Sequence, residues 1–156
     1  MDEKKLAAEI FENLKNGKTL SILSLLLTKG EDTKTKILKM TKTPFLNSIG
    51  RELGKLLVAE SWKYERLKDL WKEGGRDEKL IVISALGKLS KKDYTNTKNF
   101  IMDILEDIRD WEICDQLALR VIVNLVVKNP DEMFDVMLKW LKSEDLWIRR
   151  LAVATQ

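Results

Sequence analysis

At 156 residues the chain is long enough for one domain with a real core, since a chain of this size buries roughly 70% of its unfolded surface. It has no histidine and one cysteine, which excludes histidine acid/base chemistry, Ser-His-Asp and Cys-His nucleophiles, histidine metal centres, Cys-rich zinc sites and an internal disulfide. The net charge of +3 is uneven, with 15 Lys/Arg against 11 Asp/Glu in residues 1–75 and 13 against 14 in residues 76–156, and no apolar run approaches the ~20 residues of a membrane span.

Two prolines, seven glycines and 44% hydrophobic residues favour helix over sheet. The opening Met1-Asp2-Glu3-Lys4-Lys5 lacks the apolar core of a signal peptide, so a cytoplasmic protein with no membrane partner is expected. Leu6, Ile10, Phe11 and Leu14 recur at helical spacing before the stop at Asn16-Gly17. Thr19 is expected to cap a second helix that runs through Leu27 and ends at Lys29-Gly30. A short basic third helix then begins at Asp32 or Thr33 and runs through Met40. Lys29, Lys34, Lys36, Lys39 and Lys42 fall close together there, as phosphate contacts or as a solvated helix face. Thr43-Pro44 reads as N-cap plus first-turn proline for a helix to about Ala59. Further helix starts are expected at Ser61, at Asp77 after Gly74-Gly75, near Asp93 to Thr95, at Asp110-Trp111, at Pro130-Asp131 and at Ser143 to Asp145.

No segment sustains the period-two alternation of a half-buried strand, so the expected class is all-α. Thr43, Asp77, Trp111 and Asp145 are about 34 residues apart with one further helix in every interval, a period typical of helical arrays. The expectation is a single domain over residues 1–156. In it, antiparallel helix pairs stack as HEAT-like repeats into a right-handed solenoid, an α-α superhelix with a concave inner face. The tetratricopeptide pattern does not recur, and an irregular helical bundle is the alternative.

In Asp110-Trp111-Glu112-Ile113-Cys114-Asp115-Gln116-Leu117-Ala118, Trp111 and Asp115 stand four apart, hence on one helix face with Cβ atoms roughly 5–6 Å apart. Asp115 falls near the first helical turn, where the helix dipole and free backbone N–H groups favour negative charge. An aromatic face beside an anion suits a cationic, planar substrate. A core tryptophan with a solvated or capping aspartate has the same spacing.

Residues 65–156 resemble the DNA alkylation repair family, typified by the AlkD-type alkylpurine DNA glycosylases, in three successive places. Leu70-Trp71-Lys72-Glu73-Gly74-Gly75-Arg76-Asp77-Glu78-Lys79-Leu80 resembles a helix ending in a small-residue turn before an acidic, apolar helix. Trp111-Glu112-Ile113-Cys114-Asp115-Gln116 resembles the Trp-Asp-x-x-Asp signature, with Glu112 in the second position. Leu146-Trp147-Ile148-Arg149-Arg150-Leu151-Ala152 resembles the Trp-x-x-Arg-x-Ala segment. Thr43-Pro44 to Leu57 is similar to a Pro-containing helix with a central arginine, here Arg51.

The resemblance implies an enzyme that excises purines alkylated at N3 or N7 from duplex DNA, with no metal and no cofactor. Such a base is cationic and leaves neutral, so no general acid is required and the absence of histidine is no obstacle. Asp115 matches the catalytic carboxylate that stabilises the oxocarbenium ion, Trp111 the aromatic that packs on the sugar, and Arg150 the arginine beside lesion and backbone. In the family this proceeds without flipping the base into a pocket. Arg149, in the alternative register, and Trp147, Lys42 and Arg51 are the implied nucleic-acid contacts. For Arg150 the plain alternative is an ion pair with Glu144 or Asp145.

Domains of this family usually continue for about two more helix pairs. Shortening at the C-terminal end is therefore expected, with Trp147, Ile148, Leu151 and Val153 on an exposed apolar end that self-associates or marks a truncated product. A non-catalytic HEAT-like module binding nucleic acid or a protein partner is the alternative function.

Overall fold

The computed structural model describes residues 2–28 and 41–155, and the expected basic third helix, with Lys29, Lys34, Lys36 and Lys39, lies outside the described residues. All regular structure among the described residues is helical, and no helix there is long and apolar enough to cross a membrane. The chain divides into two compact units, Met1–Ala85 and Leu86–Gln156.

The first unit begins with α1 (Glu3–Lys15), capped by the Asp2 carboxylate, which accepts from the Lys5 N–H at 2.8 Å. Its buried residues Leu6, Ala7, Ile10 and Leu14 recur at helical spacing, and Gly17, at φ +75°, supplies the left-handed residue that ends it. The cap of α2 (Ile22–Thr28) is Ser21 rather than Thr19: the Ser21 hydroxyl accepts from the Ser24 N–H at 3.1 Å. Thr19 instead donates its hydroxyl to the Glu73 carboxylate, a partner far along the chain that no local pattern announces. In α3 (Thr43–Leu57), Lys42 occupies the N-cap, and Thr43 and Pro44 open the first turn, one residue from the expected register. The apolar side of α1 packs on α3 and on α4 (Lys63–Glu73).

Glu78 in α5 (Arg76–Ser90) is buried yet satisfied. Its Oε1 accepts from the Gly75 N–H at 2.8 Å, the reach-back half of a capping box, and its Oε2 accepts from the Ile22 N–H at 3.0 Å at the start of α2. One side chain thus joins two helix N-termini. Nearby, Gly50 of α3 sits so close to α5 that a Cβ there would lie 2.3 Å from the Ser84 Cβ and 2.6 Å from the Ile81 carbonyl oxygen. The buried Ser84–Asn47 hydrogen bond, 2.9 Å, spans the same crossing.

The second unit takes up the last turn of α5, α6 (Tyr94–Ile104), a 3-10 turn (Leu105–Asp107), and an unbroken helical run over residues 111–128. That run comprises α7 (Trp111–Leu117), a π-helical segment (Ala118–Ile122) and α8 (Val123–Lys128). Asp93 caps α6 and Asp110 caps α7 through their carboxylates. The π segment lies against α5: a Cβ on Gly87 would be 3.0 Å from the Arg120 carbonyl oxygen, and the Asn124 amide donates to the carbonyls of Gly87 and Arg120 at 3.3 and 3.0 Å. Two helices follow, α9 (Pro130–Leu141), capped by Asn129, and α10 (Leu146–Thr155), which packs on α9 and α7.

The helices that open at Thr43, Arg76, Trp111 and Leu146 start 33, 35 and 35 residues apart, close to the period expected from the sequence. The apolar end differs from expectation. Leu151 is buried and Trp147 and Ile148 half-buried because α10 turns them onto its neighbours, leaving Leu146 and Val153 exposed alongside Phe134, Leu138 and Leu141 of α9.

Candidate functional site

Two helix N-termini build the site. At the first, the Asp110 carboxylate accepts from the Ile113 N–H at 3.0 Å and starts α7 at Trp111. Ile113, Cys114 and Leu117 are buried, which directs Trp111 and Asp115 away from the core. Trp111 is 62% exposed, although a free tryptophan of this size gains more by burial than almost any other side chain.

At the second N-terminus, Asp145 precedes α10. Its Oδ1 accepts from the Trp147 N–H at 2.9 Å, and its own N–H donates to the Ser143 hydroxyl at 3.1 Å. Arg149 donates to the Ser143 carbonyl at 2.7 Å, so this guanidinium is partly committed to the turn that opens the helix. The Cys114 thiol lies 3.5 Å from the Trp147 carbonyl oxygen, in the seam between α7 and α10. Burial, then the charge of Asp115, pushes the Cys114 thiol up to about 11, which keeps it protonated at neutral pH.

Two ion pairs join these termini. Arg150 chelates Asp115, with Nε 3.2 Å from Oδ1 and Nη2 3.0 Å from Oδ2, in the fork geometry that arginine and carboxylate prefer. The side chains are 46% and 38% exposed, so the pair is open to solvent and to an approaching ligand. Its hydrogen bond to Asp115 and that carboxylate's charge raise the Arg150 guanidinium further above its ordinary value. Arg109 donates from Nη1 to the Asp145 Oδ2 at 3.0 Å and to the Ile108 carbonyl at 2.7 Å. The sequence offered Glu144 or Asp145 as the plain partner of Arg150. Asp145 is instead taken by Arg109, because the two helix starts lie side by side.

These partners are 35 and 36 residues apart in the chain, one repeat length. Opposite charges one repeat apart are the only sequence signal for such pairs, and the register of the helices decides which of them form. Partial burial works against the Asp145 carboxylate, but the Trp147 N–H and Arg109 outweigh it and hold its value below the ordinary one. A lowered folded value contributes stability above the unfolded value of ~3.9, lost as pH falls through the folded one. The Asp145→Ala protein is therefore expected to be less stable at neutral pH and to lose less further stability below about pH 4. Urea unfolding at pH 7 and pH 3 checks this, and an unchanged acid slope would remove Asp145 from the account.

Trp147 is half-buried on α10. Lys42 is exposed at the start of α3, and Arg51, also exposed, donates to the Ser48 hydroxyl at 2.9 Å. Both belong to the Met1–Ala85 unit, whereas Trp111, Asp115, Trp147, Arg149 and Arg150 belong to the other.

A family model described as DNA alkylation repair enzyme matches residues 40–156, about three quarters of the chain. No curated protein and no solved structure matches it.

Proposed function

The chain belongs to the DNA alkylation repair enzyme family, and from that premise we propose that it is a glycosylase that hydrolyses the N-glycosidic bond of cationic N3- or N7-alkylated purines in duplex DNA. The observation that carries the reading is Trp111 and Asp115 facing solvent one helical turn apart, with Arg150 gripping both carboxylate oxygens. The alkylated purine carries its positive charge into the reaction and departs neutral, so the charge moves onto the deoxyribose. A carboxylate fixed beside the sugar stabilises that charge and positions the attacking water, and Trp111 packs on the sugar. Arg150 commits two of its five N–H donors to Asp115, leaving others for a DNA phosphate. Arg149, Trp147, Lys42 and Arg51 add contacts to the nucleic acid, and neither metal nor cofactor takes part.

In this reading residues 1–156 form one HEAT-like domain, a right-handed solenoid of antiparallel pairs working in the cytoplasm, supported by the near-constant spacing of helix starts. The test is release of a 7-methylpurine from alkylated duplex DNA by the purified chain. Binding without catalysis is the second reading, favoured by the Arg150 guanidinium that partly neutralises Asp115 in the free protein. Salt-sensitive DNA binding without base release selects a nucleic-acid module, and no DNA binding at low salt selects a protein partner.

Self-association through the C-terminal helices belongs to the same proposal. Phe134, Leu138 and Leu141 form one exposed stripe of α9, with Asp131 at one end and Lys142 at the other. Two copies of α9 set antiparallel would place each acid against the partner's base. Light scattering over a concentration series is expected to give a dimer that Leu138→Glu dissociates, and a monomer at every concentration rules it out.

A further inference from the structure

The helical run of residues 111–128 shows solvent an apolar face. Beyond Trp111 and Asp115, Leu119 is 63% and Val127 75% exposed, with Val123 half-buried between them. These five residues are spaced by four. In an unbroken α-helix that spacing drifts about 40° around the axis per step, which would carry Val127 most of the way to the side opposite Trp111. The π segment Ala118–Ile122 intervenes, and its turn takes roughly one residue more than an α turn, which reverses the drift midway. The whole series therefore stays on the solvent side, while Cys114, Leu117, Val121 and Leu125 keep to the core.

A surface helix normally turns polar residues outward. Here the outward series carries a single charge, Asp115, and cations stand beside it. Arg120 is half-buried, with Nε 3.2 Å from the Gln116 Oε1, and Lys128 is exposed at the end of the run.

We propose that this stripe is a DNA contact surface lying along the deoxyribose wall of a duplex groove, with Leu119 as the first apolar contact beyond Asp115. The proposal rests on the glycosylase reading and extends it from one nucleotide to a tract. DNA is the occupant because the stripe is continuous with the Trp111–Asp115 site and because its chemistry fits. The C–H edges of deoxyribose are apolar, the Asp115 carboxylate keeps phosphates off the Trp111 end of the stripe, and the cations stand next to it in the chain or the fold: Arg120 beside Leu119, Lys128 beside Val127 and Arg150 on Asp115. From Trp111 to Val127 the helix rises roughly 24 Å, the length of about seven nucleotides at 3.4 Å each.

The experiment compares wild type, Leu119→Gln, Val127→Gln and Arg120→Gln for affinity to undamaged duplex by fluorescence anisotropy across a salt series. Single-turnover release of a 7-methylpurine is measured on the same proteins. Leu119 and Val127 are exposed, so the variants are expected to fold, and thermal unfolding checks it. Leu119→Gln is expected to weaken duplex affinity about tenfold, as loss of one apolar burial implies, with the salt dependence unchanged. Arg120→Gln is expected to flatten the salt dependence. Wild-type affinity in both Leu119→Gln and Val127→Gln, with base release intact, overturns the stripe and leaves the glycosylase reading standing. A wild type that neither binds nor cleaves DNA overturns both and turns the apolar face toward a protein partner.

Discussion

Asp115→Asn is expected to slow release of a 7-methylpurine from duplex DNA by about 10²–10³-fold while leaving duplex affinity the same or slightly tighter. Asparagine keeps the size and position of the side chain. Its oxygen still accepts from Arg150, but its amide faces the second guanidinium donor, so one of the two hydrogen bonds at 3.2 and 3.0 Å is lost. The larger consequence is the lost charge. In the proposed reaction the leaving group is already cationic, the barrier lies in positive charge developing on the sugar, and Asp115 is the group assigned to meet it. Removing the anion also removes its repulsion of nearby phosphates, which is why affinity should not fall. A loss of rate without a loss of affinity distinguishes this role from a structural one, since the exposed pair contributes little to the fold. Unchanged single-turnover kinetics would remove Asp115 from the chemistry.

Gly50→Ala is expected to destabilise the chain by about 2 kcal/mol, lowering Tm by roughly 6 °C. An added Cβ would meet the Ser84 Cβ at 2.3 Å, the Ile81 carbonyl oxygen at 2.6 Å and the Ala85 nitrogen at 3.2 Å. Two of these three are backbone atoms, so no side-chain rotation relieves the contact and the two helices must separate. Separation also stretches the buried Ser84–Asn47 hydrogen bond. The better helix propensity of alanine, worth about 1 kcal/mol, offsets part of the cost. Ser84→Gly removes one of the three collisions, so Gly50→Ala should cost less in that background, a coupling that a double-mutant cycle by thermal unfolding reads directly. An unmoved Tm for Gly50→Ala is the result that contradicts the close crossing.

Sequence is most legible where the deciding partners are near in the chain. Asp93, Asp110 and Asn129 cap helices at the expected starts through contacts three residues on, and such contacts follow from residue type and spacing alone. Thr19 shows where the same reasoning stops. It is a good cap by type, yet Glu73, 54 residues away, claims its hydroxyl and Ser21 takes the cap. The π segment carried no glycine or proline to mark it, and it arises where Gly87 lets α5 approach the Arg120 carbonyl.

Helical class, the spacing of the helix starts, the absence of histidine and the Trp111–Asp115 pairing on one face were all determined by the sequence itself, because each depends on residue type and on separations of a few positions or one repeat. The tertiary structure alone decided that Arg150 grips Asp115 while Arg109 takes Asp145, that Glu78 serves two helix ends, and that Trp111, Leu119 and Val127 all stay exposed along residues 111–128. Those outcomes turn on the register of neighbouring helices to within a few tenths of an ångström. Register is set by the packing of many side chains at once and leaves no local mark in the chain.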